Sequence, residues 1–174
     1  MMKLARSRFG GLAACFLLDK MSAILPIKVL EKNQHVTVLQ HPSPSYPVHE
    51  LAVPRKRKEN IFELLQDKES YLAVAEVLRK RGESQGLLTA CNFGARQDVK
   101  QVHFHLYEEK NFHLNEKSDR VQRLMLDEKG TVAFCDEDGN CYVQYRAIGN
   151  ILYMAALLKV IQKRFSTEFT LIFY

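Results

Sequence analysis

The spacing of apolar residues changes period several times along the chain. Pro26–Leu30 begins an extended segment, and VTVLQ (36–40) is β-branched and apolar, which predicts a strand. HPSPSYP follows with three prolines in seven residues and reads as a loop. HELAVP alternates polar and apolar and predicts a strand ended by Pro54. Ile61, Leu64, Leu65, Leu72, Ala75 and Leu78 then recur at helical spacing over 61–81. Asn60 stands as the cap with Glu63 three residues on, and Gly82 and Gly86 are expected to end the helix. LLTACN predicts a strand, FGARQDV a loop and KQVHFHLYE another strand. Residues 115–129 are polar and read as a loop with a short helix. TVAFCDEDGNCYVQYRA is a hairpin pattern with Asp138-Gly139 at its tip. A helix over 148–164 and a last strand, FTLIFY, complete the series. Strands in runs with inserted helices predict an α+β fold, with helices packed against an antiparallel sheet. YLAVAEVLRKRGESQGLLTACN (71–92) and YMAALLKVIQKRFSTEFTLIFY (153–174) both read helix, turn, strand, at low identity.

Composition adds little to the fold and more to the choice of partner. The 174 residues suit one domain with a sizeable core. A net charge of +5 favours anionic partners such as nucleotides; a nucleic-acid partner is not expected. The basic PRKRKE run reads as a solvated turn in which Lys56, Arg57 and Lys58 raise the local concentration of a polyanion without direct contact. The N-terminal MMKLARSRFGGLAACFLLDK includes LAAC, similar to a lipoprotein cleavage box. Its apolar run is shorter than an export signal uses, so a helix over 1–21 is expected instead. The apolar stretch 148–161 is too short for a bilayer. No membrane partner and a cytoplasmic location are therefore expected. The cysteines at 15, 91, 135 and 141 show no CxxC spacing. Cys135 and Cys141 flank the hairpin tip, and with no export signal their thiols are expected to be reduced. Cys91 reads as a small buried hydrophobe.

The chemistry concentrates in VKQVHFHLY (99–107). On a strand, Gln101, His103 and His105 share one face, while Val102, Phe104 and Leu106 face the core. Such a row of imidazoles has three uses. It can hold a metal with a third ligand from His49 or His113, perform nucleophilic catalysis, or simply meet solvent. His35 reads as a surface residue and His113 as a solvated loop residue. No GxxxxGK[ST], GxGxxG or HExxH occurs.

The residues around this strand decide among those uses. NFGARQDVKQVHFHLY (92–107) resembles the signature of the histidine triad (HIT) superfamily: Asn, a Gly-containing loop, Gln-x-Val, then His-φ-His-φ-His-φ-φ, with φ hydrophobic. SAILPIKVLEKNQHVTVLQHPSPSYPVHELAVPRK (22–56) resembles the opening of the same family, with a Pro-x-x-Pro-x-His loop between strands. The resemblance spans about Ser22 to Tyr107 and is greatest to a branch with glutamine at the first triad position. It implies a HIT-like domain over 22–113, with a hairpin, helix and strand over 114–174 packed on the sheet or completing it.

The resemblance also implies roles. His103 would attack the α-phosphorus of a nucleotide ester, anhydride or phosphoramidate and form a nucleotidyl-histidine. His105 would contact phosphate oxygens or the leaving group, and His49 would orient His103. Asn92 would bind phosphate or ribose, and Gln97 with the following backbone would hold the phosphates. Gln101 replaces a histidine and can orient but not carry a proton. Asp98 stands where Ser or Thr is usual near the phosphate, and His41 stands where an Asp binds the ribose hydroxyls. Substrates in view are dinucleoside polyphosphates, nucleoside phosphoramidates and sugar nucleotides. No cofactor and no metal are expected, and a homodimer is a possible assembly. The three departures keep open a catalytically weak or inactive nucleotide-binding or interaction module. A metal-binding protein built on His103, His105 and a third histidine is the other alternative.

Overall fold

The computed structural model describes residues 28–110, 112 and 120–174. The helix expected over 1–21 and His113 lie outside the described residues. The strands are β1 (Val29–Lys32), β2 (Val36–Gln40), β3 (His49–Pro54), β4 (Leu88–Phe93), β5 (Phe104–Tyr107), β6 (Gln122–Leu126), β7 (Val132–Cys135), β8 (Asn140–Val143) and β9 (Phe169–Phe173). The helices are α1 (Ile61–Gln66), α2 (Lys68–Gln85), α3 (Tyr145–Ile148) and α4 (Ile151–Phe165). The strands form one sheet in the order β1-β2-β3-β5-β4-β9-β8-β7-β6. Its pairings are antiparallel except β8 with β9, which run parallel. The fold is α+β, as the alternation of patterns predicts.

Strand periodicity divides the sheet into two faces. Val36, Val38, Ala52, Cys91, Phe104, Leu106 and Leu171 bury themselves in one cluster with Val74 and Leu78 of α2 and Leu157, Leu158 and Ile161 of α4. Each large side chain withdrawn from water there contributes about 1.5–3 kcal/mol. The alternate residues, among them Leu51, Ala90 and His105, share the other face, since Leu51 and Ala90 both pair with His105.

Several elements depart from the expected pattern for identifiable reasons. The helix over 61–81 is two helices, because Asp67 leaves helical geometry (φ −101°, ψ 83°) and its carboxylate accepts the Ser70 N–H at 3.2 Å. A short acidic side chain competes well for such a capping position. Upstream, Asn60 accepts the N–H groups of Phe62 and Glu63 as its spacing predicts. The second helix runs through Gly82 and ends at Gly86, which takes the left-handed conformation (φ 64°). Gly82 is small for a packing reason: a Cβ there would lie 2.2 Å from the Tyr145 ring. The polar stretch 115–129 contains β6, a half-exposed edge strand, where a loop and short helix were expected. Cys135 and Cys141 are joined in a disulfide, contrary to the reduced thiols expected. The DEDGN tip makes them directly opposed cross-strand partners, which brings the two sulfurs together. Cys91 is buried and free.

The two similar segments meet at the centre of the sheet. β4 belongs to one and β9 to the other, and they pair antiparallel with Ala90 opposite Ile172. Each of these is the twentieth residue of its segment, so the pairing places equivalent positions on a local near-two-fold axis. Both helices are capped in the same manner, Asp67 accepting the Ser70 N–H and Asn150 the Tyr153 N–H, each three residues on, although the two caps are offset by one residue in that alignment. The first half inserts β5, which carries the histidines, between β3 and β4. The second half has no counterpart to β5 among the described residues, and β8 pairs directly with β9.

Candidate active site

The described ends of β2, β3 and β5 bring three imidazoles together on the face away from the helices. His49 opens β3 and pairs with Tyr107, while His105 pairs with Leu51. His41 stacks on His49 with ring centroids 4.0 Å apart. His103 stands just before β5, its ring 4.9 Å from that of His105.

Backbone partners fix the tautomer of each ring. The His103 Nδ1 lies 2.8 Å from the carbonyl of Gln101. A carbonyl can only accept, so Nδ1 carries the hydrogen and Nε2 keeps its lone pair. The Ser45 N–H donates to His49 Nδ1 at 3.2 Å. A backbone N–H can only donate, so a neutral His49 holds its hydrogen on Nε2. That nitrogen sits 3.1 Å from His105 Nδ1 and donates to it. A neutral His105 therefore carries its own hydrogen on Nε2. The result is one ring with a basic Nε2 next to another with a donating Nε2–H.

The charge states support these assignments. Burial, then the neighbouring His41, lowers the His49 pKa from 6.5 to about 4. Burial, then His103, His49 and His41, lowers that of His105 to about 3. Burial also lowers His103, opposed by its bond to the Gln101 carbonyl and by the Asp98 carboxylate. All three rings are neutral at pH 7.

The remaining residues singled out from the sequence fall into different places. Asn92 is half-buried on β4, two residues beyond Ala90 and on the same face. Gln97 turns its Nε2 to the carbonyls of Glu59 and Val99, both at 2.7 Å, and thereby shapes the loop. Gln101 does not line the face with the histidines, as strand alternation had suggested. The strand begins only at Phe104, and Gln101 is 1% exposed. Its side chain donates to the Pro54 carbonyl and accepts the Lys58 N–H, tying β3 to the segment before α1. Asp98 is exposed. His41 accepts the Ser43 N–H at Nδ1, so a neutral ring carries its hydrogen on Nε2. His35 lies 3.4 Å from Glu69. Lys56 and Lys58 bind Asp67, and Arg57 binds Glu59. A cavity of about 310 Å³ touches Gln97 and the start of α1 but none of the histidines.

His41, His49 and His105 offer ring nitrogens within 4.8 Å of one another, a spacing a metal ion could use. The hydrogen bonds oppose that use. His41 and His49 both present N–H at Nε2, and His105 Nδ1 already accepts from His49. A metal ligand needs a lone pair directed inward and its other N–H donated outward.

Two residues of this region were missed in the sequence. Arg96 contacts Thr170, and Thr170 in turn contacts Asn92. Thr170 lies nearly eighty residues away from Asn92, and only the β4–β9 pairing reveals it.

The HIT domain profile matches residues 24–111, just over half of the chain. No curated protein matches. Among solved structures, a HIT family hydrolase from Clostridium thermocellum is 21% identical, covering 59% of this chain and 94% of that one, with a TM-score of 0.49. A histidine triad protein from Clostridium difficile is 19% identical, covering 63% and 99%, with a TM-score of 0.48. A hypothetical histidine triad nucleotide-binding protein from Sulfolobus tokodaii is 16% identical, covering 87% and 92%, with a TM-score of 0.46. No described helix is long and apolar enough to cross a membrane. With the family's domain matched over β1 to β5 and the loops that carry the histidines, the chain belongs to the HIT family.

Proposed function

We propose that the protein hydrolyses or transfers a nucleotidyl group through His103, as a member of the branch with glutamine at the first triad position. The observation that carries this reading is the bond from His103 Nδ1 to the Gln101 carbonyl, which leaves Nε2 as a neutral nucleophile. Its lone pair forms a bond to the α-phosphorus. The bond from phosphorus to the leaving oxygen or nitrogen breaks, and the leaving group departs with the electron pair. His105 Nε2–H donates to a phosphoryl oxygen or to the leaving group. Water then attacks phosphorus, the P–N bond breaks, a proton passes to solvent, and nucleoside monophosphate is released. His49 holds His105 in its donating tautomer. Gln97 and Gln101 set the loop and the strand entry rather than touch phosphate. Dinucleoside polyphosphates, nucleoside phosphoramidates and sugar nucleotides all fit this chemistry.

The second reading is a nucleotide-binding module without turnover. The exposed Asp98 carboxylate beside His103 favours it, since it repels an entering phosphate. Incubation with a labelled adenylyl phosphoramidate and an alkaline quench separates the two. Label on the wild type that disappears in His103→Ala supports catalysis. Binding without label or turnover supports the inert module.

A further inference from the structure

Asn92, Thr170 and Asn140 stand side by side as paired residues across β4, β9 and β8. The latter two lie beyond the residues that match the family domain. Arg96, in the loop after β4, donates from Nη1 to Thr170 Oγ1 at 3.2 Å and to Asn140 Oδ1 at 3.1 Å. Its Nη2 donates to the Asp138 carbonyl at the hairpin tip. Asn140 is itself held, because its Nδ2 and backbone N–H both donate to the Asp136 carboxylate at 2.9 Å. Tyr142 donates to the same carboxylate at 3.2 Å. The loop approaches this half closely: Gly94 has φ 71°, and a Cβ on it would lie 1.4 Å from the Thr167 carbonyl oxygen.

Every donor and acceptor role in this network follows from one end. A guanidinium has no acceptor, so the Thr170 hydroxyl must accept from Arg96. Its single hydrogen is then available, and it donates to Asn92 Oδ1 at 2.8 Å. This turns the Asn92 oxygen toward β9. The amide nitrogen diverges from the oxygen and so from the Thr170 hydroxyl, and the strand on the other flank of β4 is β5, which carries His105.

We propose that Thr170 is a positioning residue for Asn92, its hydroxyl polarised by Arg96 and holding the amide so that both Nδ2 hydrogens face the nucleotide. The proposal rests on the nucleotidyl reading above and extends it to the C-terminal half, which acts without touching substrate. An amide is nearly isosteric on rotation by half a turn. Without Thr170 it is free to present its oxygen to a phosphate anion, and the contact changes from attraction to repulsion. A hydroxyl that itself accepts from a cation is a stronger donor, so Arg96 reinforces the hold.

The test uses the full chain with adenosine phosphoramidate. Thr170→Val keeps the shape and β-branching and removes the hydroxyl, while Thr170→Ser keeps the hydroxyl. Thr170→Val is expected to lower kcat/KM about tenfold, mainly through KM, with its melting temperature close to that of the wild type. Thr170→Ser is expected to stay within about twofold. In an Asn92→Ala background, Thr170→Val is expected to add no further loss, because its effect passes through that amide. Equal kcat/KM in Thr170→Val, a defect that persists in the Asn92→Ala background, or failure of serine to rescue would overturn the proposal. Labelling of the wild type reports separately on the nucleotidyl reading. If the wild type binds adenosine monophosphate but does not turn over, the same five chains are compared by its dissociation constant. An unchanged constant in Thr170→Val overturns the proposal there, and absence of both turnover and binding removes it together with its parent.

Discussion

His49 Nε2 donates to His105 Nδ1 across 3.1 Å, and the Ser45 N–H behind His49 sets the direction of that bond. His49 therefore bonds His105 and not His103, the ring it was expected to orient, whose Nδ1 bonds the Gln101 carbonyl instead. His49→Ala leaves His105 Nδ1 without its donor and lets the ring rotate or change tautomer. Turnover is expected to fall about 10- to 100-fold, with a stability loss of about 1–3 kcal/mol. Steady-state kinetics and urea unfolding of the same preparation check both. An unchanged kcat would show that His105 does not need this partner.

Acid should destabilise the protein through the same pair. Their folded-state pKa values, about 4 for His49 and about 3 for His105, lie below the ordinary 6.5. Below pH 6.5 the unfolded chain takes up protons that the folded chain refuses. Stability is therefore complete above about pH 6.5 and declines toward pH 3, by no more than ~1.4 kcal/mol per pH unit for each ring. Urea midpoints at a series of pH values should show the decline, reduced in His49→Asn. The acid limb of kcat/KM should also lie below pH 6.5, because burial lowers His103. A limb at or above 6.5 would contradict a buried, neutral nucleophile.

Chelation should leave the protein indifferent. The tautomers fixed by the Ser43 and Ser45 N–H groups place hydrogens, not lone pairs, on Nε2 of His41 and His49. Activity before and after dialysis against a strong chelator is expected to be equal, with no stoichiometric zinc found by elemental analysis. Loss of activity restored by zinc would mean that these rings are turned over from the arrangement described here.

The seam between α2 and the second half should be intolerant of small changes. Tyr145 donates to the Leu87 carbonyl at 2.8 Å and takes a bond from the buried Thr89 hydroxyl at 2.6 Å. Tyr145→Phe strands both groups and is expected to cost about 2 kcal/mol. Gly82→Ala drives a methyl into the same ring and is expected to cost about 1–3 kcal/mol. Thermal melts of the two variants and their combination test this; because the sites touch, the losses should not add.

Much of this was legible in local pattern, and the rest required knowing what each segment packs against. β2, β3 and the hairpin of β7 and β8 follow from β-branching, alternation and the Asp138-Gly139 turn, all encoded within a few residues. Asn60 announced its cap for the same reason. The break at Asp67 and the passage of α2 through Gly82 were hidden. One depends on a side chain choosing the backbone over solvent, the other on the remote Tyr145. β6 carries weak periodicity because an edge strand buries little. The motif singled out His49, His103, His105 and Asn92, and the structure brings His49 and His105 into direct contact. Strand alternation misplaced Gln101, because the strand starts only at Phe104.

The pairing of β4 with β9 has a bearing on how the site responds to dilution. The strand that pairs with Asn92 is covalently part of the same chain, so its local concentration is fixed by the connection and not by the amount of protein in solution. The contact between Asn92 and Thr170 should therefore persist from micromolar stocks down to trace levels. A framework assembled from separate molecules would come apart over that range.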